Sequence, residues 1–304
     1  MIPTAPIKKN ILLVAFALGL LIPVVVIFIR ENMNTRVRGR KDLDDLSVPF
    51  IGEIPLAICG KKKVKSHEAH TIVVKEGSRD IMNEAFRVLR TNLEFMIGKD
   101  RSSNVIVITS FNPGSGKSFL TMNIAMSLAI KNKKVLVIDG DLRHASASAY
   151  IHSPEVGLSN YLGGQVDELS DIIVTDKQHP SFSFIPVGTI PPNPTELLFN
   201  DRLQDAIHTL KQQYDVVLID CPPVELVADT QIIEKWADRT VFVVRAGLLE
   251  RSMLPELENI YREKKYKNMS VILNGTEGAG GRYGYRYGYR YGYGSGSYYG
   301  SSSK

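Results

Sequence analysis

Residues 105–118 read VIVITSFNPGSGKS, and the fold follows from that stretch. Val105, Ile106, Val107 and Ile108 form an apolar, mostly β-branched run of the kind that makes a buried strand. Asn112-Pro113-Gly114 breaks it, and Gly114-Ser115-Gly116-Lys117-Ser118 supplies a glycine turn. Leu120, Ile124 and Leu128, four apart, then put one apolar face on a helix. Strand, glycine turn, Lys-Ser and helix in that order are the layout of a phosphate-binding P-loop. Small residues let backbone N–H groups close around a triphosphate, and the helix N-terminus adds a favourable field. In that layout Gly114, Ser115, Gly116, Lys117 and Ser118 cradle the phosphates. Lys117 reaches the β and γ phosphates, and the Ser118 hydroxyl holds Mg²⁺. Phe111 stands where the full motif has its first glycine, so the match is to Gly-Lys-Ser in context.

Two further strands end in carboxylates. Residues 135–143, VLVIDGDLR, lead to Asp139, Gly140, Asp141 and Arg143, and residues 216–223, VVLIDCPP, lead to Asp220. Ligands of a parallel sheet gather at the carboxyl ends of its strands. Asp139, Asp141 and Asp220 are therefore expected to converge on Lys117 and Ser118. Phosphoryl transfer needs such an assembly: a cation-bearing loop, carboxylates for Mg²⁺ and a base beside the attacking oxygen. Runs at Thr240–Arg245 and Ser270–Asn274 extend the pattern, with helical crossovers between strands. The expected class is α/β, a P-loop NTPase-like parallel sheet with helices on both faces. A helix opening at Pro191-Pro192-Asn193-Pro194-Thr195-Glu196-Leu197-Leu198 falls between two of the carboxylate strands, without a chemical role evident in its residues.

The 304 residues allow one medium α/β domain with appendages, and the net charge of +5 is too modest to argue for nucleic acid. Two distant cysteines, Cys59 and Cys221, exclude a disulfide scaffold. Residues 11–29, ILLVAFALGLLIPVVVIFI, carry no charge, and nineteen residues at 1.5 Å rise cover about 28 Å, close to a bilayer core. Lys8 and Lys9 precede this stretch, whereas Arg30, Arg36, Arg38, Arg40 and Lys41 follow it. The positive-inside rule then makes residues 1–10 an extracytoplasmic stub and puts the remainder in the cytoplasm. Residues 30–77 read as a juxtamembrane connector, whose run Lys61-Lys62-Lys63-Val64-Lys65 is either a lipid-facing patch or a solvated loop. Residues 78–277 read as the catalytic domain.

Within it, residues 80–97 have helical periodicity: Met82, Phe86, Leu89, Leu93 and Met96 share a stripe, opposite Glu84, Arg87, Arg90 and Glu94. The charged face reads equally as a solvated surface and as an intersubunit contact. From residue 278 to 304 the chain becomes a Gly-rich tail in which RYGY occurs three times. Tyr283, Tyr285, Tyr287, Tyr289, Tyr291, Tyr293, Tyr298 and Tyr299 are eight of the 13 tyrosines. So much glycine builds no packed core, and disorder is expected. Arg and Tyr in such a tail suit stacking on single-stranded nucleic acid, nonspecific stickiness, or phosphorylation, which adds roughly −1.5 to −2 charges per tyrosine.

Together these segments resemble the bacterial protein-tyrosine kinases of polysaccharide export and capsule assembly, along residues 11–299. The resemblance rests on TSFNPGSGKS, VLVIDGDLR, VVLIDCPP, EAFRVLRTNLEF, PPNPTELL and the terminal tyrosines. It implies ATP and Mg²⁺ as cofactors and Lys117, Asp139, Asp141 and Asp220 as the catalytic set. Ser118, Asp139 and Asp220 would hold the metal, and Asp139 is the favoured base. It also implies a homo-oligomeric ring joined by Glu84, Arg87 and Arg90, with the tail tyrosines autophosphorylated in trans. The implied setting is the bacterial inner membrane, with membrane lipid, the polysaccharide export machinery and a phosphotyrosine phosphatase as partners and no nucleic acid. Two departures stand out: Ser115 replaces an acidic loop residue, and one span replaces the family's two, as in the carboxyl-terminal part of a longer protein or in a form whose other half is a separate chain. A partitioning-type ATPase and a nucleotide-binding length regulator are the competing functions. The former has a second lysine where this chain has Asn112.

Overall fold

The computed structural model describes residues 8–32, 34–56, 70–98, 104–224 and 228–277. In chain order the elements are α1 (Lys8–Asn32), β1 (Phe50–Pro55), α2 (Ile81–Ile97), β2 (Val105–Thr109) and α3 (Lys117–Ala129). Next come β3 (Val135–Asp139), α4 (Leu158–Leu162), β4 (Val174–Thr175), β5 (Phe182–Ile185), α5 (Pro194–Leu198) and α6 (Asp201–Gln213). The last are β6 (Val216–Asp220), α7 (Asp229–Glu234), β7 (Arg239–Arg245), α8 (Leu254–Arg262) and β8 (Ser270–Thr276).

The strands form one sheet in the order β1-β8-β7-β2-β6-β3-β5-β4. Every pairing is parallel except the short β4–β5 edge. Alternation along β2 shows the two layers. Ile106 and Ile108 pack with Phe86, Leu89, Leu120 and Ile124 of α2 and α3, and Val105 and Val107 face Leu203, Ile207 and Ile232 of α6 and α7. A sheet buried on both faces needs continuous apolar strands, and β2, β3 and β6 are buried at every position. Placing β2 between β6 and β7, with β3 beyond β6, brings the carboxyl ends of β2, β3 and β6 side by side.

The two carboxylate strands stop at Asp139 and Asp220, short of the 135–143 and 216–223 stretches read from sequence. Each then runs into a loop, because Pro222 and Pro223 lack ladder donors and Asp141 caps its own turn. Strands β1, β4 and β5 were not evident in the sequence. The first lies inside the stretch read as a connector: Phe50–Pro55 pairs with β8, and Val37, Leu43, Val48, Ile51 and Ile54 are buried. That part of the connector belongs to the fold. Gly52 makes the close approach possible, since a Cβ there would lie 3.1 Å from Leu89 Cδ1.

α2 begins where Asp80 caps it, accepting from Asn83 N, and ends at Gly98 with φ +70°. Phe86, Leu89 and Leu93 of its apolar stripe are buried and Met82 and Met96 half-buried, but Arg90 joins the buried side. The Arg90 guanidinium donates to Ser127 O at 2.9 Å on α3. A long side chain with a carbonyl to reach can cross from the polar face, which periodicity alone does not register. Glu84 and Arg87 stay exposed and pair at 3.1 Å.

The residues 11–29 expected to span a membrane lie within α1, where Leu12, Leu13, Phe16, Leu20, Leu21 and Ile22 are exposed. Among the described residues no helix is long and apolar enough to cross a membrane. Several side chains of the 11–29 stretch, the Lys61–Lys65 run and all eight tail tyrosines lie outside the described residues.

Candidate active site

The loop from β2 to α3 is closed by its own short side chains. Ser110 Oγ and Ser115 Oγ both donate to Asn112 O at 2.8 Å. Gly114 and Gly116 have φ of +74° and +86°, a backbone region that residues with a Cβ rarely adopt. At Gly116 a Cβ would also collide with Asn274 Nδ2. The Asn274 amide, near the end of β8, donates to Ser115 O at 2.8 Å and so holds the loop from two strands away. The Arg245 guanidinium, at the end of β7, stands where a Cβ on Gly116, or on Gly275 at the end of β8, would meet it.

Lys117 begins α3 and is buried. Burial lowers its pKa, while the carboxylates of Asp220 and Asp141 pull the other way. Ser118 Oγ donates to Asp220 Oδ2 at 2.5 Å, and Thr121 Oγ1 reaches Asp220 Oδ1 at 3.5 Å. Asp139 and Asp220 are direct partners across the β3–β6 pairing. Both are fully buried, and both carboxyls are pushed well above the usual carboxylate range. Burial is the main cause for each; Asp139 is further raised by the charge of Asp220, and Ser118 and Lys117 partly offset the rise at Asp220. Cys221 beside them is a buried thiol raised by the same desolvation.

The sequence-predicted residues therefore meet. Asp220 touches Ser118 and, with Asp141, acts on Lys117, while Asp139 lies close enough to be acted on by both Asp220 and Asp141. Their surroundings differ. Asp139 Oδ2 accepts from both Ser148 N and Ser148 Oγ at 2.7 Å, and its Oδ1 accepts from Asp141 N at 3.2 Å. Asp141 Oδ1 accepts from Arg143 N and His144 N at 3.3 and 3.1 Å.

These groups suit a hard divalent cation. Mg²⁺ takes one or two carboxylates together with a hydroxyl and phosphate oxygens. Two buried carboxyls whose charge is opposed by burial and by their neighbours are stabilised by such an ion. The Ser118–Asp220 pair presents a hydroxyl and a carboxylate at the mouth of the loop. Serine in place of an acidic residue at position 115 leaves the loop intact, since its hydroxyl bonds within the turn.

Other residues of the site were not legible from the sequence. Ser148, Thr121, Asn274 and Arg245 carry no motif, and Asn274 bonds a partner 159 residues away. The PPNPTELL segment acquires a role: Thr195, in α5, donates to Asp229 Oδ1 at 2.7 Å and accepts from Arg143 at 2.9 Å. Arg143 also pairs with the buried Asp229 at 2.9 Å. The loop carrying Asp141 is thereby tied to α5 and to the first turn of α7.

Comparison with known proteins agrees with this geometry. A model of the AAA domain matches residues 103–268. Tyrosine-protein kinase Etk of Escherichia coli is 31% identical over 263 residues, covering 81% of this chain and 35% of Etk. The chain spans about two fifths of the length of the curated relatives it matches. The solved kinase domain of the Escherichia coli tyrosine kinase ETK superposes with a TM-score of 0.69 at 29% identity, over 87% of this chain and all of that one. The BceF tyrosine kinase domain gives 0.67 at 32% identity, over 79% and 99%. The chain belongs to the AAA-domain proteins with a P-loop and, within them, to the bacterial tyrosine-kinase family.

Proposed function

We propose that the chain is an ATP-dependent protein-tyrosine kinase that phosphorylates the tyrosine cluster of its own tail, delivered from a neighbouring copy. The observation that carries this reading is the contact of Ser118 with Asp220, beside Lys117 and one strand from Asp139. Lys117 and the loop N–H groups orient the triphosphate and take up charge that grows on it during transfer. Bound Mg²⁺ supplies Lewis-acid stabilisation of the phosphates, with Ser118, Asp220 and Asp139 as its candidate ligands. Asp139 is the favoured acceptor of the proton released by the tyrosine hydroxyl once Ser148 yields Oδ2. Asp141 keeps the loop turned toward the site through Arg143 N and His144 N.

The same reading places Glu84 and Arg87 at a ring interface, supported by their exposure on α2, whereas Arg90, expected there with them, is turned inward onto Ser127 and can act on such an interface only from behind it. It places α1 in the bacterial inner membrane, supported by the uncharged 11–29 stretch and its exposed apolar side chains. Successive phosphates on Tyr283, Tyr285, Tyr287, Tyr289, Tyr291, Tyr293, Tyr298 and Tyr299 reverse the charge of the tail and loosen the ring. That couples phosphorylation to polysaccharide export, the setting implied by the resemblance, and calls for a phosphatase to reset the cycle.

The test mixes a Lys117→Met chain, tail intact, with a chain whose site is intact but whose residues 278–304 are deleted. Phosphotyrosine on the Lys117→Met chain is expected. Its absence, alongside self-labelling of the wild-type chain, would exclude transfer between copies.

A further inference from the structure

Roughly 20 Å along α3 from Lys117, a second site opens. A cavity of about 440 Å³ lies between residues 74–79, the first turns of α2 and the last turns of α3. Its charged lining is Lys75, Glu76, Arg79, Arg87, Arg90 and Lys131. Arg87 is compensated by Glu84 at 3.1 Å. Asp80, close by, is turned into its own cap, where it accepts from Asn83 N, Asn83 Nδ2 and Ser78 Oγ. Among the described residues the side chains of Lys75, Arg79 and Lys131 have no ion-pair partner. Glu76 is thus the one carboxylate on the wall facing four uncompensated cations.

Arg90 gives the cavity its direction. It is only 8% exposed, and one of its terminal amino groups is fixed on Ser127 O and Oγ at 2.9 and 3.3 Å. Its Nε is buried with no acceptor. The second terminal amino group of Arg90 has no protein acceptor among the described residues and is not sealed off as Nε is, so it is the donor that a tetrahedral oxyanion in the cavity can engage.

We propose that this cavity binds a phosphate-monoester dianion, with Arg90 as its buried anchor and Lys75, Arg79 and Lys131 as its rim. The charge balance favours a dianion over a carboxylate, because a single negative charge leaves most of the excess positive charge uncompensated. The volume lies within the range of small-ligand pockets and admits a phosphate carried on an aromatic ring. Two sources share this chemistry: a phosphotyrosine, such as the phosphorylated tail would present, and free phosphate.

The test uses the full chain saturated with ADP and Mg²⁺, so that the P-loop is filled and kinase activity plays no part. Phenyl phosphate, inorganic phosphate and benzoate are titrated by calorimetry. Saturable binding of at least one phosphate probe is expected, with benzoate clearly weaker. In an Arg79→Ala, Lys131→Ala chain the phosphate affinity should fall about tenfold or more. Both side chains are exposed, and an unchanged melting temperature would verify that the fold survives. Tighter binding of phenyl phosphate than of inorganic phosphate identifies phosphotyrosine as the source, and the reverse order identifies free phosphate. No saturable binding of either phosphate, binding indifferent to the double substitution, or benzoate equal to phenyl phosphate would overturn the proposal. This outcome is independent of whether the tail is a kinase substrate.

Discussion

Lys117 and the two buried carboxyls oppose each other electrostatically, and their balance sets how the site responds to substitution and pH. Lys117→Met removes the cation while keeping an apolar chain of similar reach. Loss of a preorganised charge of this kind typically costs ~10²–10³ in rate. Autophosphorylation should therefore fall at least that far, read as phosphotyrosine formed per minute. The pH response originates in the carboxyls. Asp139 and Asp220 both titrate higher in the fold than in an unfolded chain, because burial penalises their charged forms. The metal-free fold thus binds protons more tightly than the unfolded chain and gains stability as pH falls through that range. Mg²⁺ must displace those protons. Its apparent affinity should rise between about pH 6 and about pH 8, with proton release detectable by calorimetry in buffers of different ionisation enthalpy. Affinity flat across that range would mean that neither carboxyl holds the metal.

Among the elements, the connection between the Asp141 loop and α5 is the one most open to test. Thr195→Val keeps the shape of the side chain and removes its hydroxyl, leaving Asp229 to Arg143 alone. A lost hydrogen bond to a buried charge costs about 1.5–3 kcal/mol, and urea unfolding should register a loss in that range. The sheet itself was legible at β2, β3, β6, β7 and β8, because each carries a run of consecutive apolar, mostly β-branched residues that announces a buried strand. β1 was not, because Pro49 and Pro55 bracket only five residues and its partner β8 is more than 200 residues away. β5 escaped for a similar reason: Phe182-Ser183-Phe184-Ile185 is short, and its burial comes from β3 and not from its own pattern. At the site, the side chains proposed to hold phosphate or metal carry a motif. Those that hold the loop in place, Ser148, Asn274 and Asp229, are ordinary residues made important by the packing of distant segments. Arg90 is the opposite case, a motif residue whose periodicity pointed outward and whose guanidinium turned in.

At the scale of the whole molecule, one copy of the chain offers a site and a separate tail, and the reading of the protein turns on whether they meet. If α2 joins subunits, Glu84→Ala with Arg87→Ala should shift the detergent-solubilised mass to that of a monomer. Since both side chains are exposed and their mutual pair contributes only a few tenths of a kcal/mol, the fold should survive the change. An unchanged mass would remove α2 from the interface. The most direct measurement concerns the transfer itself: peptide mass spectrometry of residues 278–304 after the intact chain is incubated with ATP and Mg²⁺. Phosphate on several of Tyr283 to Tyr299, absent from a Lys117→Met chain treated alike, is the predicted result. ATP turned over with every tail tyrosine left unmodified would contradict it and leave the site an ATPase.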